Sequence, residues 1–284
     1  MRNGVMSYSL QFLRLIALAA ASVAFPGMVR ADCAEASGPC QIETGEYHIR
    51  VPGVEHGPAV FMLHGAGGSG AGMMGRERVI DALLARGYAV IAPTGGRSFG
   101  NGGFSWGFLR QWPGRDETAF LKAVADDAAA RFGLERSRML LAGFSAGGFM
   151  TTYLACETPG LFSAYAPVAG GFWRPQPTEC AAPVRLFHTH GWTDRTVPFE
   201  GRPLRGGAFV QGDIFAGLEL WRDTNGCDSH APQTLGQTGD FLRRGWPGCA
   251  VGSALEFALF PGGHTIPEGW ADMMLDWYEA LPRP

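Results

Sequence analysis

The chain has 284 residues, 46% of them apolar and 17% charged, which is enough apolar material for a large domain core and excludes global disorder. A formal net charge of −3, with no basic run, argues against nucleic acid as a partner.

In chain order, the first feature is an export signal. Arg2 and Arg14 supply a positive start, Leu15 to Phe25 is unbroken apolar or small, and Pro26-Gly27 interrupts the helix before Val29-Arg30-Ala31. Cleavage is expected after Ala31, leaving residues 32–284 as a single catalytic domain. The apolar stretch is shorter than the ~20 residues that cross a bilayer, so no membrane association is expected after cleavage. Arg30-Ala31-Asp32 ahead of Cys33 is not a small apolar lipobox, which argues against a lipid anchor. Losing three arginines and no acid takes the net charge from −3 to about −6. The expected destination is the periplasm or the exterior.

All six cysteines (Cys33, Cys40, Cys156, Cys180, Cys227, Cys249) lie beyond that cut, the pattern of a disulfide framework in an exported protein. Six cysteines allow many pairings, and the spacings favour neighbours: 33–40, 156–180 and 227–249. No C-x-x-C pair is present, so zinc is not expected.

Short apolar runs bounded by glycine and proline predict strands at 59–63, 88–92, 138–142, 165–168, 184–188 and 255–260. Helical patterns lie between several of them, at 116–132, 149–156, 213–224 and 268–281. Strands alternating with helices predict an α/β architecture, a mostly parallel sheet covered on both faces. In such sheets the ligand site lies at the carboxyl ends of the strands.

The pattern G-x-S-x-G occurs twice, at 103–107 and at 143–147. With 42 glycines the bare pattern is weak, and context separates the two copies. Ser145 follows the apolar run Met139–Ala142 and precedes a helical segment, which is the strand–turn–helix setting of a nucleophile elbow. Ser105 follows a glycine-rich loop and precedes bulky Trp106 and Phe108, without a helix start. Ser145 is therefore the expected nucleophile.

A serine hydroxyl needs a base to take its proton and an acid to orient that base. In this architecture the chain order is serine, acid, histidine. His48, His56 and His64 come too early. His188 lies within a predicted strand, His190 is expected to bond within a turn, and His230 lies in a cysteine-flanked loop. His264, in a glycine-rich loop after the last predicted strand, is the expected base. Asp194, a short turn after the 184–188 run, is the expected acid; Asp213 looks like a helix N-terminus. The negative oxygen of the tetrahedral intermediate needs preorganised N–H donors. Ala146, after the nucleophile, and Ala66, in the loop His64–Gly68, are the expected oxyanion donors, with Gly67 as an alternative. That loop lacks the spacings of a phosphate or dinucleotide loop. The chemistry needs only these groups, so no cofactor and no metal is expected.

With these residues assembled, the chain resembles the secreted polyhydroxybutyrate depolymerase family and the related feruloyl and acetylxylan esterases. The likeness runs from about Ala59 to Pro267. It is carried by LHGAGG at 63–68, DETAFLKAV at 116–124, RMLLAGFSAGGFMTTYLACETPGLFSAYAPVAG at 138–170, HTHGWTDRTVPF at 188–199, WRDTNGC at 221–227 and PGGHTIP at 261–267. The resemblance implies an α/β-hydrolase fold and ester hydrolysis by Ser145, Asp194 and His264. It also supports a 227–249 bridge close to the catalytic histidine. Two departures stand out: an Asp116-Glu117 pair replaces the usual Asp-Asp, and the 63–68 loop lacks the cysteine that some relatives carry.

The expected partner is a small-molecule or oligomeric ester, bound by a monomer or homodimer. The chain offers no separate polymer-binding domain, which favours soluble oligomers or small esters. Trp106, Trp112, Trp173 and Trp192 could stack on a substrate ring or serve as core and lid packing. Two rivals are a serine peptidase on the same scaffold and a secreted binding module without catalysis.

Overall fold

The computed structural model describes residues 1, 3, 4, 33, 38–53 and 56–282. The expected signal, 1–31, lies outside the described residues apart from positions 1, 3 and 4, and so does the cut after Ala31.

Fifteen strands occur among the described residues. In chain order they are β1 (Cys40–Ile42), β2 (Gly45–Arg50), β3 (Ala59–Leu63), β4 (Ala89–Pro93), β5 (Arg97–Phe99), β6 (Gly103–Ser105), β7 (Met139–Phe144) and β8 (Ala164–Val168). They continue with β9 (Trp173–Arg174), β10 (Arg185–Gly191), β11 (Pro203–Leu204), β12 (Phe209–Gln211), β13 (Thr234–Thr238), β14 (Phe241–Trp246) and β15 (Ala254–Phe260). Ten form one sheet in the order β1-β2-β4-β3-β7-β8-β10-β15-β14-β13. Its centre, from β4 to β15, is parallel, and the antiparallel strands lie toward the two edges.

The six apolar runs became the six central strands because parallel strands bury both faces and read as unbroken apolar stretches. In β3, Phe61 and Leu63 point into one core while Val60 and Met62 point into the other. The helices α1 (Gly70–Met74), α2 (Glu77–Ala85) and α6 (Trp270–Ala280) cover the Val60 face. Three more, α3 (Glu117–Phe132), α4 (Ala146–Glu157) and α5 (Ile214–Thr224), cover the Phe61 face. Two of these have side-chain N-caps: Asp116 accepts from the Ala119 N–H at 2.9 Å and Asp213 from the Ala216 N–H at 3.0 Å. Gly133, at φ 63°, ends α3 in the left-handed conformation that glycine adopts without a Cβ clash. This is the α/β-hydrolase architecture.

One expected boundary moves. The sequence predicts a turn at His190-Gly191, but β10 continues through both, with Gly191 paired to Phe260 of β15. A Cβ on Gly191 would run into the carbonyls of Gly262 and Gly263, so the glycine lets the loop after β15 cross tightly over the strand end.

Disulfides join Cys33 to Cys40, Cys156 to Cys180 and Cys227 to Cys249. The second anchors the end of α4, and the third closes the segment carrying β13 and β14.

Candidate active site

Ser145 sits in the one-residue turn between β7 and α4, at φ 57° and ψ −115°, a region costly for any residue with a Cβ. The turn is held by its neighbours: the Ser145 N–H donates to the Val168 carbonyl, and the Phe149 N–H to the Ser145 carbonyl, each at 2.9 Å. The flanking glycines have a steric reason. A Cβ on Gly143 would strike the Gly147 carbonyl, and one on Gly147 the Leu63 carbonyl. Bare backbone is therefore what lets α4 start directly behind the serine, against β7 and β3.

His264 leaves the carboxyl end of β15 and reaches this serine. Its Nε2 lies 2.8 Å from Ser145 Oγ, and its Nδ1 lies 2.7 Å from Asp194 Oδ2. Asp194 is almost wholly buried just beyond β10. Its other oxygen, Oδ1, accepts the backbone N–H groups of Thr196 at 2.8 Å and Val197 at 2.9 Å. Burial alone would raise its pKa. The bonds from His264 and Val197, with the His264 and His190 rings nearby, outweigh burial and hold the carboxyl below the usual carboxylate range.

His190 bonds within this turn, its Nε2 2.7 Å from the Val197 carbonyl and its Nδ1 3.2 Å from His188 Nε2. Burial lowers the pKa of both rings, so neither is charged at neutral pH. They are neutral struts under the acid-bearing loop.

The loop after β3 carries Ala66, and both Ala66 and Ala146 line the same cavity as Ser145. Ala146 is the first residue of α4, where backbone N–H groups have no intrahelical partner. The Ala66 N–H has no backbone acceptor among the described residues. The Gly67 N–H, in contrast, donates to the Phe104 carbonyl at 2.8 Å. The Gly67 N–H is thus already engaged, whereas that of Ala66 is free of backbone acceptors among the described residues.

The second G-x-S-x-G copy has a different use. Ser105 ends β6, whose Phe104 bonds back to Gly68 at 3.0 Å, so the β5–β6 hairpin clamps the Ala66 loop from outside. Gly103 must be glycine because its Cα lies against the Gly67 backbone. His64 finishes the clamp. The Gly95 N–H donates to its Nε2 at 3.0 Å, so its Nδ1 carries the proton and donates to the Gly65 carbonyl at 2.8 Å. Burial keeps this ring neutral as well. The fully buried Trp106 donates from its indole N–H to the His64 carbonyl at 2.8 Å. Trp106→Phe keeps the ring and deletes this bond. We expect kcat to fall about tenfold with KM near wild type, read by steady-state kinetics, because donor placement acts on the transition state.

Beside Ser145 opens a cavity of about 590 Å³. Its wall is aromatic: Phe108 stacks on Phe149 with centroids 5.5 Å apart, and Trp112, Trp173 and Phe209 meet edge to face at 5.7–6.0 Å. Of the four tryptophans singled out, Trp112 and Trp173 line this cavity, Trp106 is core, and Trp192 is 64% exposed. The short sheet β9-β12-β11 brings Trp173, Leu204, Phe209 and Gln211 to the cavity, and no repeating apolar pattern announces strands of two or three residues.

Residues 45–204, more than half the chain, match the family model described as phospholipase/carboxylesterase. Among curated relatives, poly(3-hydroxyalkanoate) depolymerase C of Paucimonas lemoignei is 34% identical over 33% of this chain and 22% of its own length. The probable feruloyl esterase C of Aspergillus terreus is 25% identical over 53% of this chain and 51% of its own length. The chain thus spans about half or less of these relatives. Feruloyl esterase C of Emericella nidulans is 24% identical over 80% of this chain and 79% of its own. The acetyl xylan esterase structure from Aspergillus awamori superposes with a TM-score of 0.59 at 17% identity, over 82% of this chain and 93% of that one, and so shares the fold. The family match, the sheet order and the elbow geometry agree: this chain belongs to the phospholipase/carboxylesterase family, carboxylic ester hydrolases built on the α/β-hydrolase fold.

Proposed function

We propose that the protein is an exported serine esterase that cleaves short-acyl, feruloyl-type or hydroxyalkanoate esters through an acyl-enzyme on Ser145. The observation that carries this reading is the unbroken line from Ser145 Oγ through His264 to Asp194, with links of 2.8 and 2.7 Å.

His264 Nε2 accepts the hydroxyl proton as Oγ attacks the ester carbon. Asp194, ionised and fixed by two backbone N–H groups, holds the imidazole with its proton on Nδ1 and stabilises the imidazolium that forms. The carbonyl oxygen becomes an oxyanion opposite the Ala66 and Ala146 N–H groups. His264 then returns its proton to the departing alkoxide, and the alcohol leaves. Water repeats the sequence on the acyl-enzyme: His264 takes its proton, hydroxide adds, and Ser145 leaves as the hydroxyl. The half-buried aromatic wall supports an acyl or alcohol group with apolar body. Three disulfides support export to an oxidising compartment.

The test is a panel of p-nitrophenyl acetate, butyrate and octanoate beside peptide p-nitroanilides. Esters are expected to turn over at least ~10³-fold faster than anilides, a gap of about 4 kcal/mol in barrier. Comparable anilide cleavage would favour a peptidase. A folded protein inert to both would favour a binding module.

A further inference from the structure

We infer that the cavity beside Ser145 selects esters bearing a free carboxylate, which Arg97 and Arg205 of its lining hold. The inference rests on the esterase reading for the position of the scissile bond and adds the class of substrate.

The first observation is charge. The chain has 26 acids against 23 lysines and arginines, yet the cavity is lined by Arg97, Arg202 and Arg205 and by no acidic residue. Among the described residues, none of the three guanidinium groups has a carboxylate within 4.0 Å, whereas Arg86 has three and Arg115, Arg131 and Arg243 have one each. Arg202 is tied by its Nε to the Thr196 carbonyl at 2.8 Å, so it belongs to the loop that fixes Asp194. Arg97 lies over the Trp112 ring at 4.1 Å, a cation–π contact that orients it without neutralising it. An unpaired arginine on a wall with no counter-charge is matched by an anionic ligand, since the guanidinium fork fits a carboxylate with two parallel bonds.

The second observation is backbone strain. Arg205 has φ 49°, in the left-handed region where a side chain is costly, and the next two residues are glycines at φ 66° and 92°. Glycine would hold this turn more cheaply, so the arginine side chain is carried here at a conformational cost.

The third observation is a set of polar atoms without partners. The indole N–H groups of Trp112 and Trp173 and the Oε1 of Gln211 are buried and unbonded, and all three residues line this cavity. Gln211 is only 4% exposed. Buried polar groups are normally satisfied, and these three keep unused bonding capacity at the cavity wall that a ligand reaches only if their side chains turn on binding. The two indole N–H groups need acceptor oxygens, whereas the Gln211 Oε1 only accepts and is matched by a donor such as a ligand hydroxyl. An ester with a carboxylate end supplies several acceptor oxygens in a row along an apolar body. A neutral acetyl ester or a simple fatty ester supplies fewer.

The experiment compares each acid with its uncharged primary amide, so that chain length and leaving group are constant. One pair carries the carboxylate on the acyl side, mono-p-nitrophenyl suberate and its amide. The other carries it on the alcohol side, 6-(butyryloxy)hexanoate and its amide, followed by butyrate release. We expect kcat/KM about tenfold higher for the acid in at least one pair, the scale of a charged hydrogen bond. That preference is expected to fall toward one in 0.5 M NaCl and in Arg97→Gln/Arg205→Gln, and to persist in Arg97→Lys/Arg205→Lys. Equal rates in both pairs overturn the inference, as does a preference indifferent to salt and to the glutamine variant. The salt arm uses the unmodified protein and does not depend on any variant folding. Turnover of p-nitrophenyl butyrate without acid preference sinks this inference and leaves the esterase reading standing. If nothing is hydrolysed the esterase reading fails, and titration calorimetry of the Ser145→Ala protein with the same compounds still reads the preference.

Discussion

Ser145→Ala is expected to lower kcat on p-nitrophenyl butyrate by about 10⁴-fold or more while leaving the fold and the cavity intact. The substitution removes one oxygen from an elbow whose geometry is set by its surroundings. Gly143 and Gly147 still allow the tight turn, and the Ser145 backbone bonds to Val168 and Phe149 do not involve the hydroxyl. Ser105→Ala is the control. Ser105 ends an outer hairpin strand, its φ is not positive, and the His264 ring bonds to Ser145. The Ser105 variant is expected to keep hydrolysis within about tenfold of wild type, and reversal of the two results would move the nucleophile to the other G-x-S-x-G copy.

Asp194→Asn carries the second large effect, a loss of about 10³- to 10⁴-fold in kcat. Its Oδ1 already accepts two backbone N–H groups, so the asparagine oxygen takes that place and its NH₂ turns toward His264 Nδ1. A donor there demands an unprotonated Nδ1, which moves the ring proton to Nε2 and leaves no base for the serine. The same variant reads the carboxyl's contribution to stability. The folded state holds the Asp194 carboxyl below its ordinary range, so it binds protons more weakly than the unfolded chain does. Its stabilisation is present above the unfolded carboxyl pKa and is lost as pH falls through the lower folded value. Urea midpoints of wild type and Asp194→Asn should therefore differ most at neutral pH and converge in acid below the usual carboxylate range. A gap that widens in acid would contradict the depressed pKa.

The sequence made the sheet centre and four of its six covering helices legible for a physical reason, while the short Gly70–Met74 and Glu77–Ala85 helices went unread. Strands such as Ala59–Leu63 and Met139–Phe144 are buried on both faces, which forces an unbroken apolar run, and Asp116, Gly133 and Asp213 mark helix ends by their capping chemistry. Chain order and strand-end position were enough to select Ser145, Asp194 and His264 as candidates. The groups that hold the Ala66 loop in place were not legible. The Ala66 loop is held by Gly95, Phe104 and Trp106, residues 29 to 40 positions away, and such long-range clamps leave no periodicity. The edge hairpin β13–β14 was missed because its outward face is exposed, Leu235 and Leu242 included, and the alternation is broken by Gly236. The arginines of the cavity were invisible for a related reason: Arg97, Arg202 and Arg205 come together only through the short sheet and the hairpin that fold over the site. His190 shows the reverse case, where a strand ran on past the last apolar residue because β15 paired with it to Gly191.

The most direct measurement of the central claim is covalent trapping. The purified protein is treated with an ethyl fluorophosphonate, which esterifies only a serine activated by a nearby base, and the labelled peptide is located by mass spectrometry. The account predicts one phosphonyl group per chain, on Ser145, with complete loss of p-nitrophenyl butyrate turnover and no label in the His264→Ala protein. A label on Ser105, or a folded protein that hydrolyses esters and takes no label, would contradict it.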